Sequence, residues 1–234
     1  MKHLITIIML TPILIFSQIT ENQSITSSAR SSFYAGGSVF FGPGEQIKAG
    51  EKYYTNSDKE SEDINISPNG SAGLEIIVGY NLTKSISSEF AIGWSSGGET
   101  IDKDNVILFK KAPLRLTLLY RIPIEKKYTP YIGAGLSTNL VVKYTEKSQG
   151  IDSEIKYSKP VGFHILGGAS YKENNSPLFF FGELRVIVLS EYTVEEADIG
   201  GMDATSLLKS SDLDNLTATG MQFAFGMGYY FKKK

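Results

Sequence analysis

The chain has no cysteine, one tryptophan and two histidines among 234 residues. The missing cysteines exclude a disulfide scaffold, a thiolate metal site and a lipid-modified N-terminal cysteine. Charge of neither sign is in excess, with 23 Lys and Arg against 25 Asp and Glu, so nothing indicates a nucleic-acid partner. No apolar run approaches the ~20 residues that a membrane-spanning helix needs. At 41% apolar residues the chain is nevertheless too hydrophobic for disorder. A mean hydropathy of −0.09 has the value of a water-soluble protein. The order of the residues contradicts that average.

The N-terminus combines Lys2, an apolar stretch over 4–16 and the small residue Ser17, which is the layout of a secretory signal peptide cleaved near Ser17. The apolar stretch is too short for a membrane anchor. Residues 1–17 are therefore expected to be the signal peptide, 18–32 a polar linker, 33–231 the folded body and 232–234 a basic tail. The mature chain is expected to be exported, either as a soluble protein or as a barrel in an outer membrane.

From residue 33 onward the dominant period is two. Between 217 and 231 the odd positions carry Met221, Phe223, Phe225, Met227, Tyr229 and Phe231. The even positions carry mostly Gly, Ala and Gln. A half-solvated strand would place charges opposite its apolar face. Glycine and alanine there instead suit strands curving around a narrow interior. The same alternation recurs over 33–41, 72–80, 89–94, 114–121, 132–140, 162–170 and 179–188, which makes eight strands. The connections 81–84, 123–129 and 172–177 are short, whereas 43–69, 97–104, 145–156 and 191–216 are polar, and two of them are long. Short turns at one end and longer loops at the other predict an all-β fold. It is an eight-stranded antiparallel up-and-down transmembrane β-barrel with periplasmic turns and extracellular loops.

Aromatic residues gather at the strand ends and predict two interfacial girdles. Phe33, Tyr34, Tyr80, Tyr120, Tyr128, Tyr131, Tyr171, Tyr229, Tyr230 and Phe231 form the periplasmic group. Phe40, Phe41, Trp94, Phe109, Tyr144 and Tyr192 form the other. Pro113 falls inside the fourth strand, and a closed barrel has no edge to host it. It predicts a bulge, or a ladder that has already left the bilayer.

Strand count, loop alternation and the ending Gly226-Met227-Gly228-Tyr229-Tyr230-Phe231 resemble the small eight-stranded OmpA/OmpX-like outer-membrane barrels, over nearly all of 33–231. The resemblance implies a bacterial outer-membrane location, contact with membrane lipid and lipopolysaccharide, and recognition by the barrel-assembly machinery through the terminal aromatic. Lys232, Lys233 and Lys234 depart from that ending. The Ser17-Gln18 junction and the abundance of Asn, Lys and Ile resemble exported proteins of the Bacteroidetes.

The inward face carries Glu75, Glu89 and Glu183 with Arg115, Arg121 and Arg185, three charges of each sign. Charge in a narrow interior must be paired. These residues, with His164, are expected to form a structural polar network filling the lumen. His164 could alternatively serve as the base of a lipid-modifying barrel enzyme. However, its nearest following serine is Ser170, and no phosphate loop, metal spacing or nucleophile elbow occurs. No catalytic residue, cofactor or metal is therefore expected. The four outer connections hold 19 acids and 7 lysines, a net −12, against +10 for the remainder. Such a rim would bind divalent cations that bridge to lipopolysaccharide, or simply hold water. Asp102, Asp104, Asp212 and Asp214 lack the rest of a calcium loop, and 204–216 is expected to form an amphipathic helix over the mouth. The functional expectation is a non-enzymatic outer-membrane protein acting through its acidic loops in envelope structure, adhesion or cation and lipopolysaccharide contact. The alternative is a small barrel component of a transport or protein-secretion system (PorT-like), with extracellular or secretion partners at the loops.

Overall fold

The computed structural model describes residues 33–43, 47–53, 61–66, 71–100, 106–122, 127–148, 151–173, 176–209, 211 and 213–231. The expected signal peptide, linker and basic tail lie outside them, as do Asp102, Asp104 and Asp212. Among the described residues, period-two alternation becomes thirteen strands. They are β1 (Phe33–Gly42), β2 (Ile47–Tyr53), β3 (Ser61–Ile66), β4 (Ser71–Asn81), β5 (Ile86–Thr100), β6 (Val106–Arg121) and β7 (Tyr128–Ser148). The series continues with β8 (Ile151–Tyr157), β9 (Val161–Lys172), β10 (Leu178–Leu189), β11 (Val194–Ile199), β12 (Met202–Asp203) and β13 (Gly220–Phe231). A single helical turn, α1, spans Thr205–Leu208.

Eight of these strands close on themselves. The antiparallel order β1-β4-β5-β6-β7-β9-β10-β13 returns to β1, where Tyr34 pairs with Tyr230 and Phe41 with Phe223. Closure leaves no ladder unpaired within the ring, which is the condition for a sheet to cross lipid. The eight expected strands are these eight. β2 and β3 form a separate hairpin in the first outer connection.

The outer wall is apolar. Leu74, Ile76 and Trp94 are more than 60% exposed, and Val39, Phe90, Phe163, Phe180, Phe225 and Met227 are exposed with them. In water such a continuous apolar surface would aggregate. Around a barrel it is the face that hydrocarbon covers. The inner wall alternates small residues with large ones. A Cβ at Gly79 would run into the Tyr34 ring, and one at Gly228 into the Phe179 ring, so these glycines give inward aromatics their space.

That packing corrects the expected girdles. Phe33, Tyr80, Tyr120, Tyr128, Tyr229 and Phe231 do face outward at the periplasmic end, and Phe41 and Trp94 at the other. Tyr34, Tyr131, Phe40, Phe109, Tyr144 and Tyr192 are instead buried inside. Consecutive aromatics such as Phe33 and Tyr34, or Phe40 and Phe41, must point to opposite faces of one strand.

Pro113 sits at a bulge. Lys111 pairs with Val142 but Pro113 pairs with Asn139, so β7 supplies one residue more than β6 across this step. Leu140 and Val141 both face outward there, and the inward series on β7 changes from odd positions to even ones. The missing N–H of Pro113 falls where the ladder is already interrupted.

Candidate functional site

Within the barrel, Glu75 of β4, Arg115 of β6 and Glu183 and Arg185 of β10 face inward by strand period, and closure of the ring brings them together. Arg115 donates from Nε and Nη2 to the two Glu75 oxygens at 3.0 and 2.6 Å. Arg185 donates from Nη2 and Nη1 to the same carboxylate at 2.9 and 3.2 Å. Arg185 Nε also donates to Glu183, whose other oxygen accepts from the Tyr131 hydroxyl at 2.9 Å. The Ser38 hydroxyl donates to Glu75 at 3.2 Å. One carboxylate thus serves two buried guanidinium groups, and a second carboxylate shares the charge of one of them. Bidentate geometry of this kind is what offsets the loss of water around buried ions.

Glu89 and Arg121 lie apart from this cluster, nearer the periplasmic turns. The Tyr34 hydroxyl donates to Glu89 and accepts from Arg121 Nη2 at 3.1 Å, while Arg121 Nη1 donates to Asn81. The guanidinium also stands 5.2 Å from the centre of the Tyr34 ring, within cation–π range. Tyr34, Phe179 and Tyr230 pack ring against ring at 4.8–5.6 Å across this end of the bore. The six charged residues therefore form two groups joined by neutral side chains.

His164 is fully buried. Its Nδ1 is 2.7 Å from the Ser137 hydroxyl and its Nε2 is 2.9 Å from the Thr117 hydroxyl, so both ring nitrogens are occupied. Neither hydroxyl is near His164 in the sequence. What identifies them is that Ser137 and Thr117 share the inward face of β7 and β6. Lys111 is a further inward cation that the alternation did not single out. It continues the odd inward positions of β6 that include Arg115 and Thr117, and lies buried opposite Val142.

Above the bore the strands do not end where the loops were expected. β5 and β6 stay paired out to Thr100 and Val106, and β7 runs to Ser148 before pairing with β8. β11 then joins β8, and β12 joins β11, extending the barrel wall into an open sheet outside the membrane. Its inner face has its own apolar core of Ile107, Phe109, Val142, Tyr144, Ile155 and Tyr157. Tyr192, Val194, Ala197, Leu208 and Leu216 from the last connection complete it. The outer face carries the charged residues in cross-strand pairs, Lys143 with Glu154, Lys147 with Asp152, and Lys156 with Glu196. Alternating charge made these segments resemble loops, yet charge on every second residue is what a strand with one wet face requires.

The amphipathic helix expected over 204–216 is reduced to α1. Ser211 turns back, its hydroxyl donating to the Leu208 carbonyl and accepting from the Leu213 amide. Asn215 adopts a positive φ of 57°, after which Leu216 bridges to Tyr192. Polar side chains competing for backbone partners end the helix after one turn. Tyr192 instead lies at the top of the bore, where its hydroxyl accepts from Asn139 Nδ2 at 3.0 Å and its ring packs on Phe109 and Tyr157.

Burial pushes the Tyr144, Tyr157 and Tyr192 phenols above their ordinary value, with Glu146 adding to the shift at Tyr144 and Asp214 at Tyr157. The folded module keeps them neutral. Their contribution to stability is therefore complete below a pH of about 10, the unfolded phenol value, and is lost as pH rises above it. In an alkaline titration, the tyrosinate absorbance of these three is expected only together with loss of the module's near-ultraviolet circular dichroism. Full tyrosinate absorbance with that signal intact would contradict their burial.

A closed eight-stranded antiparallel ring, an uncharged apolar outer wall and a side-chain-filled bore together define a class. The chain is a small eight-stranded outer-membrane β-barrel protein of the bacterial outer membrane, with lipid against its outer wall. A model of the Opacity family of porin proteins matches residues 78–179, from within β4 to within β10. The outer membrane protein OprG of Pseudomonas aeruginosa superposes with a TM-score of 0.51 at 15% identity, over 90% of this chain and all of its own. Neisserial surface protein A gives a TM-score of 0.48 at 14% identity, over 85% of this chain and 97% of its own. Ail, the attachment invasion locus protein of Yersinia pestis, gives 0.46 at 12% identity, over 86% and 97%. No curated protein matches the sequence.

Proposed function

We propose that the barrel is a non-conducting, non-enzymatic anchor that displays a folded, acidic extracellular module, and that this module makes the functional contacts. The observation that carries the reading is the second apolar core above the membrane, built from β6, β7, β8, β11 and the 190–219 connection. A solvated loop has no such core. Half of its residues come from two of the acidic connections, 145–156 and 191–216, which together hold 10 acids and 3 lysines. A partner at this rim is therefore a cationic surface, or lipopolysaccharide bridged by divalent cations.

The bore supports the same reading. The network of Glu75, Glu183, Arg115 and Arg185, together with Glu89, Arg121 and His164, occupies the lumen as structural filling. Tyr192 lies above it and the Tyr34–Phe179–Tyr230 cluster below. An imidazole with both nitrogens engaged and no exposed surface offers a lipid ester no approach. Delivery rests on residues 1–17 acting as a cleaved signal peptide, followed by the 18–32 linker. N-terminal sequencing of the mature protein is expected to begin close to Ser17.

The test is planar-bilayer recording with the folded full-length protein, paired with binding of whole cells to divalent-cation–lipopolysaccharide surfaces. We expect no discrete conductance steps, and binding that is lost when 191–216 is replaced by a short turn. Reproducible steps would overturn the sealed bore, and loss of protein secretion on deletion of the gene would favour the secretion-component reading. An altered outer-leaflet lipid profile in His164→Ala would favour an enzyme.

A further inference from the structure

We propose that the outer wall binds one phospholipid of the periplasmic leaflet, with an acyl chain laid into a hollow across β6, β7 and β9 and the phosphate beside Lys84. The hollow measures about 530 Å³, and its lining includes Ile86, Leu118, Tyr120, Ile132, Ala134 and Ile165. No lining residue is charged. Its volume falls in the range of small-molecule sites, roughly 300–1,000 Å³.

The hollow arises where two outward positions are small. Ala134 pairs with Leu118 on one side and with Ile165 on the other, so a single methyl group stands between two branched side chains. Gly167 pairs with Ile132, and no atom lies within 4 Å of where its Cβ would be. In the next row toward the extracellular side, Leu116, Leu136 and Phe163 are all large and face outward, which bounds the hollow there. Its other end reaches the periplasmic rim. Ile86 opens β5 and pairs with Tyr120, one residue before the end of β6.

The surroundings select the occupant. This wall is covered by lipid, and the turn between β4 and β5 places Lys84 just outside the hollow, exposed and two residues before Ile86. The Arg121 amide donates to the Ser85 carbonyl at 2.7 Å and ties that turn to the end of β6. Among the described residues Lys84 has no acidic partner. A lipid phosphate supplies the opposite charge at interfacial height. Lipid tails are as apolar as the wall, so burial by itself favours no occupant. Retention rests on close contact within the hollow and on the headgroup. A second copy fits worse. A two-fold dimer centred here presents the same patch from both sides, so hollow would face hollow and neither would be filled. The site lies on the membrane wall and stands or falls separately from what the module contacts.

The test is native mass spectrometry of the folded full-length protein extracted from outer membranes in mild detergent. We expect one phospholipid to be retained by each barrel. Ala134→Phe fills the hollow from the lipid side and is expected to release it. Val39→Phe, outward on the opposite side of the ring, is expected to keep it. Lys84→Gln is expected to lower the retained fraction about fivefold. The heat-dependent gel shift verifies that each variant is folded. No retained lipid, or a lipopolysaccharide or second copy in its place, would overturn the proposal. So would retention unchanged in Ala134→Phe or Lys84→Gln, or release in Val39→Phe as well.

Discussion

Glu75→Leu is expected to be the most damaging single substitution in the bore. It leaves the Arg115 guanidinium with no acidic partner and Arg185 with Glu183 alone, both deep inside the barrel. Removing one member of a buried ion pair costs about 3–5 kcal/mol, chiefly because the remaining charge is stranded. That is a large share of a small protein's total stability. The readouts are the urea midpoint of refolded protein and the heat-dependent shift in gel mobility that marks a folded barrel. We expect Glu75→Leu to lower the midpoint sharply and to reduce the fraction of folded band. Glu75→Leu combined with Arg115→Met removes a matched pair and leaves Arg185 with Glu183. The double variant is expected to be more stable than Glu75→Leu, since groups in one network do not contribute additively. A single variant with an unchanged midpoint would mean that the cluster is hydrated and that the bore is open to water.

Tyr192→Ala is the counterpart outside the membrane. Tyr192 is 1% exposed, packs against Phe109 and Tyr157, and holds Asn139 at the top of the bore. Truncating a buried aromatic side chain costs about 3–5 kcal/mol, here borne by the module. The barrel closes through its own ladder, so the expected outcome is local. Limited proteolysis is expected to cut within 191–216 in the variant and not in the parent, while the heat-dependent gel shift stays the same. If both were lost together, module and barrel would fold as one cooperative unit. If neither changed, Tyr192 would not hold the module in place.

These two residues show how differently the parts of the molecule could be read. Glu75 could be assigned to the inward face by counting along β4, because every second residue of a strand shares a face. Its partners could not be assigned. Arg115 and Arg185 are 40 and 110 residues away, and both converge on Glu75 only because closure brings β4, β6 and β10 around one axis. Glu89 and Arg121 belong to the same inward set by alternation, yet the structure places them in another group with Tyr34. His164 shows the same limit. Its sequence neighbourhood points to Ser170, whereas the hydroxyls that hold it come from β6 and β7.

Tyr192 is harder still. Its place at the edge of a polar loop suggests an outward girdle, and it is the centre of a core. Segments such as Asp152-Ser153-Glu154-Ile155-Lys156 are rich in charge, and high charge argues for solvent exposure. Only half of a strand with one wet face is exposed, and its apolar half stays buried only if another segment covers it. Here the covering segment is 190–219, which carries few signals of its own beyond scattered Leu, Val and Tyr.

The sequence by itself therefore determined the absence of cysteine chemistry, the eight alternating strands, which end carries the short turns, and which charges face inward. All of these arise from a period of two or from composition, properties that neighbouring residues along one chain already carry. The tertiary structure alone decided which inward charges meet, that the bulge beside Pro113 lies on β7, and that 145–156 and 191–216 fold into a module over the mouth. Those outcomes depend on which strands become neighbours when the sheet closes, and on contacts between segments up to 198 residues apart, as where Phe33 pairs with Phe231. Mean hydropathy near zero averages a lipid-covered wall, a charged bore and an acidic rim, three surroundings that only the closed barrel separates.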